Sequence, residues 1–244
     1  MKFAATEDFY LFGYGSLIWK PPPDYDYKMP GYIKDYVRRF WQVLEDHRGT
    51  PEAPGRVVTL VERSVWETLG DHHGADEEVW GMAYRIPKDK VESVKEYLDI
   101  REINGYSIHY VDVYHTDEHL PPIKALVYIG TPENPQFAAR NGVPGESELA
   151  KHIFDSCGPS GENKEYLYQL NHSLEELCPE SKDNHVRSLF RQVCLLEAEA
   201  RLNGVDHSED EQPVVPSHHP ATVMEETELV QVGGEMDIDT EMMH

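Results

Sequence analysis

Apolar and polar positions divide the chain into two patterned regions and a final stretch without pattern. In the first two-thirds, short β-rich runs are bounded by Gly, Pro or Asp. They fall at Phe9–Phe12, Tyr32–Gln42, Arg56–Glu62, Val79–Ile86, Ser107–His115 and Lys124–Gly130, and predict six strands. One helix interrupts them at about Asp89–Glu102, with Val91, Val94 and Leu98 at helical spacing. This order predicts an α+β fold built on a small mixed or antiparallel sheet or barrel, not a doubly wound parallel sheet. The last third is helical. A segment over 147–157 stops at Gly158-Pro159, a second over 161–177 aligns Leu167, Leu170, Leu174 and Leu177, and a third over 184–202 aligns Val186, Leu189, Val193, Leu196 and Ala200. Such stripes read as packing faces, so the helices are expected to flank the sheet on one side.

Beyond Asn203 the periodicity ends. Pro213, Pro216 and Pro220, few aromatics and many carboxylates predict a disordered acidic tail over 204–244, behind a domain over 1–203. Its short apolar patch, Val230-Gln231-Val232, could serve as a docking peptide, but solvated coil is the expectation. The tail also changes the meaning of the charge. The 244 residues hold 45 Asp and Glu against 22 Lys and Arg, a formal −23. Eleven of those carboxylates lie in 202–244, which has no Lys or Arg, so residues 1–201 carry about −12. A body of this sign repels phosphate backbones and disfavours nucleic-acid binding.

No apolar run approaches the ~20 residues that span a bilayer, and the N-terminus has no basic segment leading a long apolar one. Neither membrane insertion nor secretion is expected. Cys157, Cys178 and Cys194 are odd in number and lack Cys-x-x-Cys spacing, which points to a reducing, cytoplasmic setting with thiols used as small apolar residues. A monomer is expected.

Gly13-x-Gly15 follows a strand and invites a nucleotide-binding reading. A dinucleotide fingerprint needs a third small residue where Ile18 stands and an immediate helix where Pro21-Pro22-Pro23 stands, and there is no phosphate-loop lysine. That reading fails. What remains is a strand end whose glycines either let the backbone approach a ligand, with N–H groups for a carboxylate or oxyanion, or supply a turn of positive φ.

The second candidate is Glu102. It continues the stripe Val91, Val94, Leu98 and is followed by the helix-stop Gly105. A carboxylate there would be desolvated at the negative end of a helix, and both effects raise its pKa toward the range useful to a general acid/base. A frayed last turn, with Glu102 in water or paired to an arginine, fits the spacing equally. The thirteen histidines, Asp71-His72-His73, His109, His115 and His218-His219 among them, form no compact ligand set, and there is no Gly-x-Ser-x-Gly elbow. No metal, cofactor or enzyme nucleophile is expected.

Eight ordered blocks resemble the ChaC family of glutathione-specific γ-glutamylcyclotransferases. They are Phe12-Gly13-Tyr14-Gly15-Ser16-Leu17-Ile18-Trp19, Arg38–Gln42, Asp46–Gly49, Pro54–Val61, Val79–Arg85, Tyr97–Glu102, Tyr128–Gly130 and Gly158–Leu167. The resemblance spans about residues 9–200 and leaves out the tail and an added segment, Val65–Glu78. It implies a small β-barrel flanked by helices. It implies that Gly13, Tyr14, Gly15, Ser16, Leu17 and Ile18 bind a γ-glutamyl group, and that Glu102 is the catalytic acid/base.

The implied reaction is intramolecular. The α-amine of the γ-glutamyl group attacks its own γ-carbonyl, closing 5-oxoproline and releasing Cys-Gly from glutathione. The alternatives are a cyclotransferase for other γ-glutamyl amines or dipeptides, and a non-catalytic regulator that binds a metal or a partner. Glutathione is anionic, so its recognition here requires local cations. Arg38, Arg39, Arg48, Arg56, Arg85 and Arg101 all lie in the matching blocks, and the sequence leaves open which of them face a pocket.

Overall fold

The computed structural model describes residues 8–101 and 105–204. The expected tail therefore lies outside the described residues, apart from Gly204. Five strands, β1 (Phe9–Gly13), β2 (Tyr27–Lys34), β5 (Glu78–Ile86), β6 (Ser107–His115) and β7 (Ile123–Ile129), close into a barrel in the order β1-β5-β2-β6-β7. All neighbours are antiparallel except β7 and β1, which meet in parallel at Leu11 and Leu126, so the barrel is mixed. Two further strands, β3 (Tyr36–Leu44) and β4 (Gly55–Glu62), pair as a separate ribbon with a bulge between Arg39 and Gln42.

Alternation along each strand sorts the barrel side chains onto two faces. Leu11, Tyr84 and Leu126 share a register and pack with Val94 and Leu98 from α2 (Val91–Arg101), so the stripe read from the sequence is the face by which this helix covers the barrel wall. On the other face Phe12, Ala83, Met29, Val113, Ala125 and Val127 belong to the larger core. That interior leaves no spare room. A Cβ on Gly81 would lie 2.4 Å from the Gly13 carbonyl oxygen and 2.6 Å from the Phe12 ring.

The ribbon is buried on both faces, with Phe40, Trp41, Val58 and Leu60 inside. Its cover is a helical layer of α3 (Glu146–Asp155), α4 (Asn163–Leu177) and α5 (Asn184–Leu202), which pack on one another as well as on the ribbon. Leu167, Leu170, Leu174, Val186, Leu189 and Val193 are all buried, and Leu177, Leu196 and Ala200 are half-buried at the ends of their stripes.

The structure corrects two readings. The run Tyr32–Gln42 is not one strand: Asp35 takes a left-handed conformation (φ 66°), ending β2 at Lys34 and restarting the chain as β3 in a different sheet. An aspartate is one of the few side chains that tolerates this region, but nothing in the apolar pattern marks it. Likewise β2 begins at Tyr27, ahead of the expected start at Tyr32, and runs through Pro30. It survives where β6 reaches β2 only at Gly31 and Tyr32, leaving that side of the strand without a ladder at Pro30.

A short helix, α1 (Arg63–Trp66), leads into the added segment, which is pinned by Asp71. The Asp71 carboxylate accepts from Arg39 Nε (2.6 Å), Trp66 Nε1 (2.8 Å) and the His73 N–H (3.0 Å).

Candidate active site

The glycine loop leaves the barrel at the end of β1 and folds into a single 3₁₀ turn over Ser16–Ile18. The Ile18 N–H donates to the Gly15 carbonyl (2.9 Å) and the Lys20 N–H to the Ser16 carbonyl (2.8 Å). Two buried tyrosines lock it: Tyr84 donates its hydroxyl to the Leu17 carbonyl (2.7 Å), and Tyr14 donates its own to the Tyr128 carbonyl (2.8 Å). The glycines are required by contact. Neither Gly13 nor Gly15 has positive φ, but a Cβ on Gly13 would sit 2.5 Å from Leu17 Cβ, and one on Gly15 would sit 2.9 Å from the Tyr166 hydroxyl and 3.0 Å from Val58. The positive-φ reading is thus set aside, and what the glycines admit is close contact with the protein's own Leu17, Val58 and Tyr166.

The loop borders two adjoining hollows. A recess of about 50 Å³ lies between Tyr14, Gly15, Ser16 and Leu17 on one side and Tyr106, Tyr128 and Tyr166 on the other. It shares Ser16, Tyr106 and Tyr166 with a cleft of about 290 Å³, close to the ~300–1,000 Å³ of small-molecule sites. Trp19, Lys20, Leu44, His47, Arg48, Val57, Tyr97 and Ser160 complete the described cleft wall. A larger open groove of about 600 Å³ runs past Lys34–Tyr36 and Arg63, and it holds none of the loop residues.

The cleft's outer wall consists of two loops in backbone contact. A Cβ on Gly158 would lie 2.3 Å from the Gly49 nitrogen, and the Ser160 N–H donates to the His47 carbonyl (2.8 Å). Asn163 holds the start of α4 to β4, its carboxamide accepting from the Arg56 N–H (2.8 Å) and donating to the Arg56 carbonyl (2.7 Å). Tyr166 projects from the first turns of this helix and sets its ring edge-on to Trp19 (5.2 Å) and Phe40 (5.9 Å).

The six arginines separate by location. Arg38 is buried beneath the ribbon, donating to Asp183 (3.1 Å) and the Trp80 carbonyl. Arg39 is buried against Asp71, and Arg85 is paired with Asp26 (2.8 Å) on the surface. Arg56 is half-buried, and burial holds its pKa below the usual arginine range. The side chain of Arg101 lies outside the described residues. Arg48 is the one of the five described that lines the cleft, held by Glu165 and by the Glu162 carbonyl (2.9 Å). Lys20 is a second cation on the same wall.

Glu102 also lies outside the described residues. Its neighbours in sequence are described on both sides. Tyr97, five residues before it, and Tyr106, four residues after it, both line the cleft. Gly105 takes positive φ (76°), as the helix-stop reading expects, and its carbonyl accepts from Asn134 Nδ2 (3.0 Å). Among the described residues, no group of three or more His, Cys, Asp or Glu is placed to hold a metal ion, and no helix is long and apolar enough to cross a membrane.

The sequence reading named the loop but not its partners. Trp19, His47, Tyr97, Tyr106, Ser160 and Tyr166 all line the cleft, together with Arg48, which the sequence offered only as one of six arginines. Tyr106 directly follows the helix-stop Gly105, and each of the others stands inside one of the resembling blocks. Their occurrence in those blocks was the available signal.

A barrel whose first strand delivers a glycine loop into a tyrosine-walled cleft is the architecture of a γ-glutamylcyclotransferase. The crystal structure of the glutathione-specific enzyme from yeast matches with a TM-score of 0.69 at 33% identity, covering 78% of this chain and 97% of that one. The ChaC-like protein family matches residues 9–195, and the chain belongs to that family. It is similar to the glutathione-specific γ-glutamylcyclotransferase of Schizosaccharomyces pombe, at 48% identity over 188 residues, 75% of this chain and 91% of that protein. It is also similar to glutathione-specific γ-glutamylcyclotransferase 1 of Homo sapiens, at 37% identity over 75% of this chain and 78% of that one.

Proposed function

We propose that this chain degrades glutathione by cyclising its γ-glutamyl group, releasing 5-oxoproline and Cys-Gly. The observation that carries this reading is that Tyr14, Gly15, Ser16 and Leu17 of the loop line the recess, with Gly13 and Ile18 flanking them in the chain, within a fold shared with the glutathione-specific enzyme from yeast. Gly13, Tyr14, Gly15, Ser16, Leu17 and Ile18 receive the γ-glutamyl head, and the wider cleft receives the Cys-Gly portion. Arg48 and Lys20 offer the local positive charge that an anionic substrate needs on an acidic protein.

The nucleophile is the substrate's own α-amine, so the protein's first task is shape. Holding amine and γ-carbonyl in near-attack geometry is worth about 7–11 kcal/mol in well-oriented internal reactions. The second task is proton transfer: one group must take a proton from the α-ammonium and give one to the departing amide nitrogen. Glu102 is the group assigned to it, supported by its place in the resembling block and by the cleft-lining tyrosines on either side of it in sequence. The third task is charge. The amides at the start of the Ser16–Ile18 turn are assigned to the developing oxyanion, where one donor is typically worth about 2.7–4 kcal/mol.

Residues 1–203 constitute the catalytic domain in this reading, a cytoplasmic monomer, with 204–244 as an acidic appendage. Incubation of the purified chain with glutathione tests the assignment. Equal amounts of 5-oxoproline and Cys-Gly support it, and the absence of both overturns it. γ-Glutamyl-alanine as competitor separates glutathione specificity from a broader γ-glutamyl preference. A chain ending at Gly204 that turns over like the full chain supports the domain division, and loss of turnover contradicts it.

A further inference from the structure

The segment Val65–Glu78, which the resemblance leaves out, helps to enclose a second cavity of about 310 Å³. Its walls are Leu69–His73, the approach to α3 at Val143–Glu146, Trp41, Leu149 and His185. None of these residues borders the cleft or the recess.

Most polar groups around it are satisfied. Asp71 and Arg39 neutralise each other at 2.6 Å. Two are not. His185 is 3% exposed and its Nδ1 has no hydrogen-bond partner; the Glu146 side chain is 29% exposed, but its Oε1 is shielded from solvent and also has none. Buried polar atoms left in this state are uncommon and costly, so each calls for a physical reason.

The chemistry of the two orphans is defined. The Phe40 N–H donates to His185 Nε2 (3.3 Å), which makes Nε2 the acceptor of the ring. Burial, with Arg39, His73 and Arg38 nearby, keeps the ring neutral. Its proton therefore resides on Nδ1, which is a donor awaiting an acceptor. Glu146 Oε1 is an acceptor awaiting a donor, while its Oε2 lies 3.5 Å from His73 Nδ1. A protonated Nδ1 has no lone pair for a metal ion, which rules out the otherwise attractive His73–Glu146–His185 metal site. With Asp71 already neutralised, Glu146 is the cavity's remaining carboxylate, set among Trp41, Leu69, Val143 and Leu149.

We propose that this cavity binds a small ammonium compound with a carbonyl or carboxylate oxygen a few atoms away, the chemistry of the amino end of an amino acid or short peptide. The ammonium donates to Glu146 Oε1, in a cavity whose wall includes the Trp41 ring. The ligand's oxygen accepts from His185 Nδ1. The site stands apart from the cleft and does not depend on the activity assigned there.

Calorimetric titration of the full chain with alanylglycine tests the proposal, with N-acetyl-alanylglycine as the control lacking the ammonium. The expected result is saturable one-to-one binding that weakens at least tenfold on N-acetylation and at least tenfold in Glu146→Gln, while Arg48→Ala in the cleft leaves it unchanged. Val143→Trp, which fills the cavity, should abolish it, and an unaltered melting temperature shows that each variant is folded. A crystal soaked in the dipeptide should place its ammonium against Glu146. No binding, equal binding of the acetylated peptide, indifference to Glu146→Gln, or density for water alone would overturn the proposal.

Discussion

The hydroxyl of Tyr166 occupies the space that any side chain at position 15 would need: a Cβ on Gly15 would lie 2.9 Å from it. This contact joins the glycine loop, from the first strand, to a helix more than 140 residues later. Gly15→Ala should therefore fold but push Tyr166 from the recess, lowering kcat/KM for glutathione at least tenfold. Removing the hydroxyl relieves the clash, so Gly15→Ala with Tyr166→Phe should recover part of the loss relative to strict additivity. Steady-state kinetics on the two single variants and the double variant measure the coupling, and zero coupling would show that the glycine serves another purpose.

Arg39 and Asp71 form a buried ion pair, the guanidinium 2% and the carboxylate 7% exposed. Truncating one partner leaves the other charge uncompensated, which typically costs about 3–5 kcal/mol. Asp71→Ala should lower the melting temperature by well over 5 °C, read by calorimetry. A shift within a degree of the parent would mean that Arg39 finds another acceptor.

Stability should fall as pH drops below about 6.5. His185 is neutral in the fold because burial, with Arg39, His73 and Arg38 nearby, holds its pKa well below the usual range, whereas the unfolded chain binds a proton there near pH 6.5. The stabilisation is thus full above pH 6.5 and is lost on acidification toward the folded-state value, at up to ~1.4 kcal/mol per pH unit for one proton. His152, lowered by burial, adds to the same trend, and Asp71, held below its usual range by Trp66 and Arg39, adds at lower pH. Denaturant midpoints between pH 5 and 7.5 check this. His185→Gln should flatten the slope, and an unchanged slope would assign the titration elsewhere.

Arg48 is the cation held against the cleft by Glu165 and the Glu162 carbonyl. If it meets the carboxylate end of glutathione, Arg48→Ala should raise KM about tenfold with kcat altered less than threefold, since such binding is uniform along the reaction. An unchanged KM would leave Arg48 as a wall residue.

The helices were legible in the sequence because each has one buried stripe, and Val94, Leu98, Leu167, Leu170, Val186 and Leu189 all lie where periodicity puts them. The ribbon was not, because β3 is buried on both faces and its limits depend on Asp35, a single residue of unusual φ inside a β-rich run. The glycine loop was legible as a place of small residues at a strand end, but the side chain that requires them was not. Tyr166 belongs to a helix whose apolar stripe gives no sign that a tyrosine beside it reaches the first strand's loop. The histidines divide similarly. Nothing local to His73 or His185 reports that their rings lie 5.2 Å apart, because the contact depends on how the added segment meets α5.

The central claim is that one carboxylate, Glu102, moves the proton for a reaction whose nucleophile the substrate supplies. Its most direct test is turnover of glutathione by the parent chain and by Glu102→Gln, with 5-oxoproline and Cys-Gly both quantified and glutathione binding measured in parallel. The account predicts equimolar products from the parent, a loss of about 10²- to 10⁴-fold in kcat for the variant, and nearly unchanged binding. A variant that still turns over at the parent rate would contradict it.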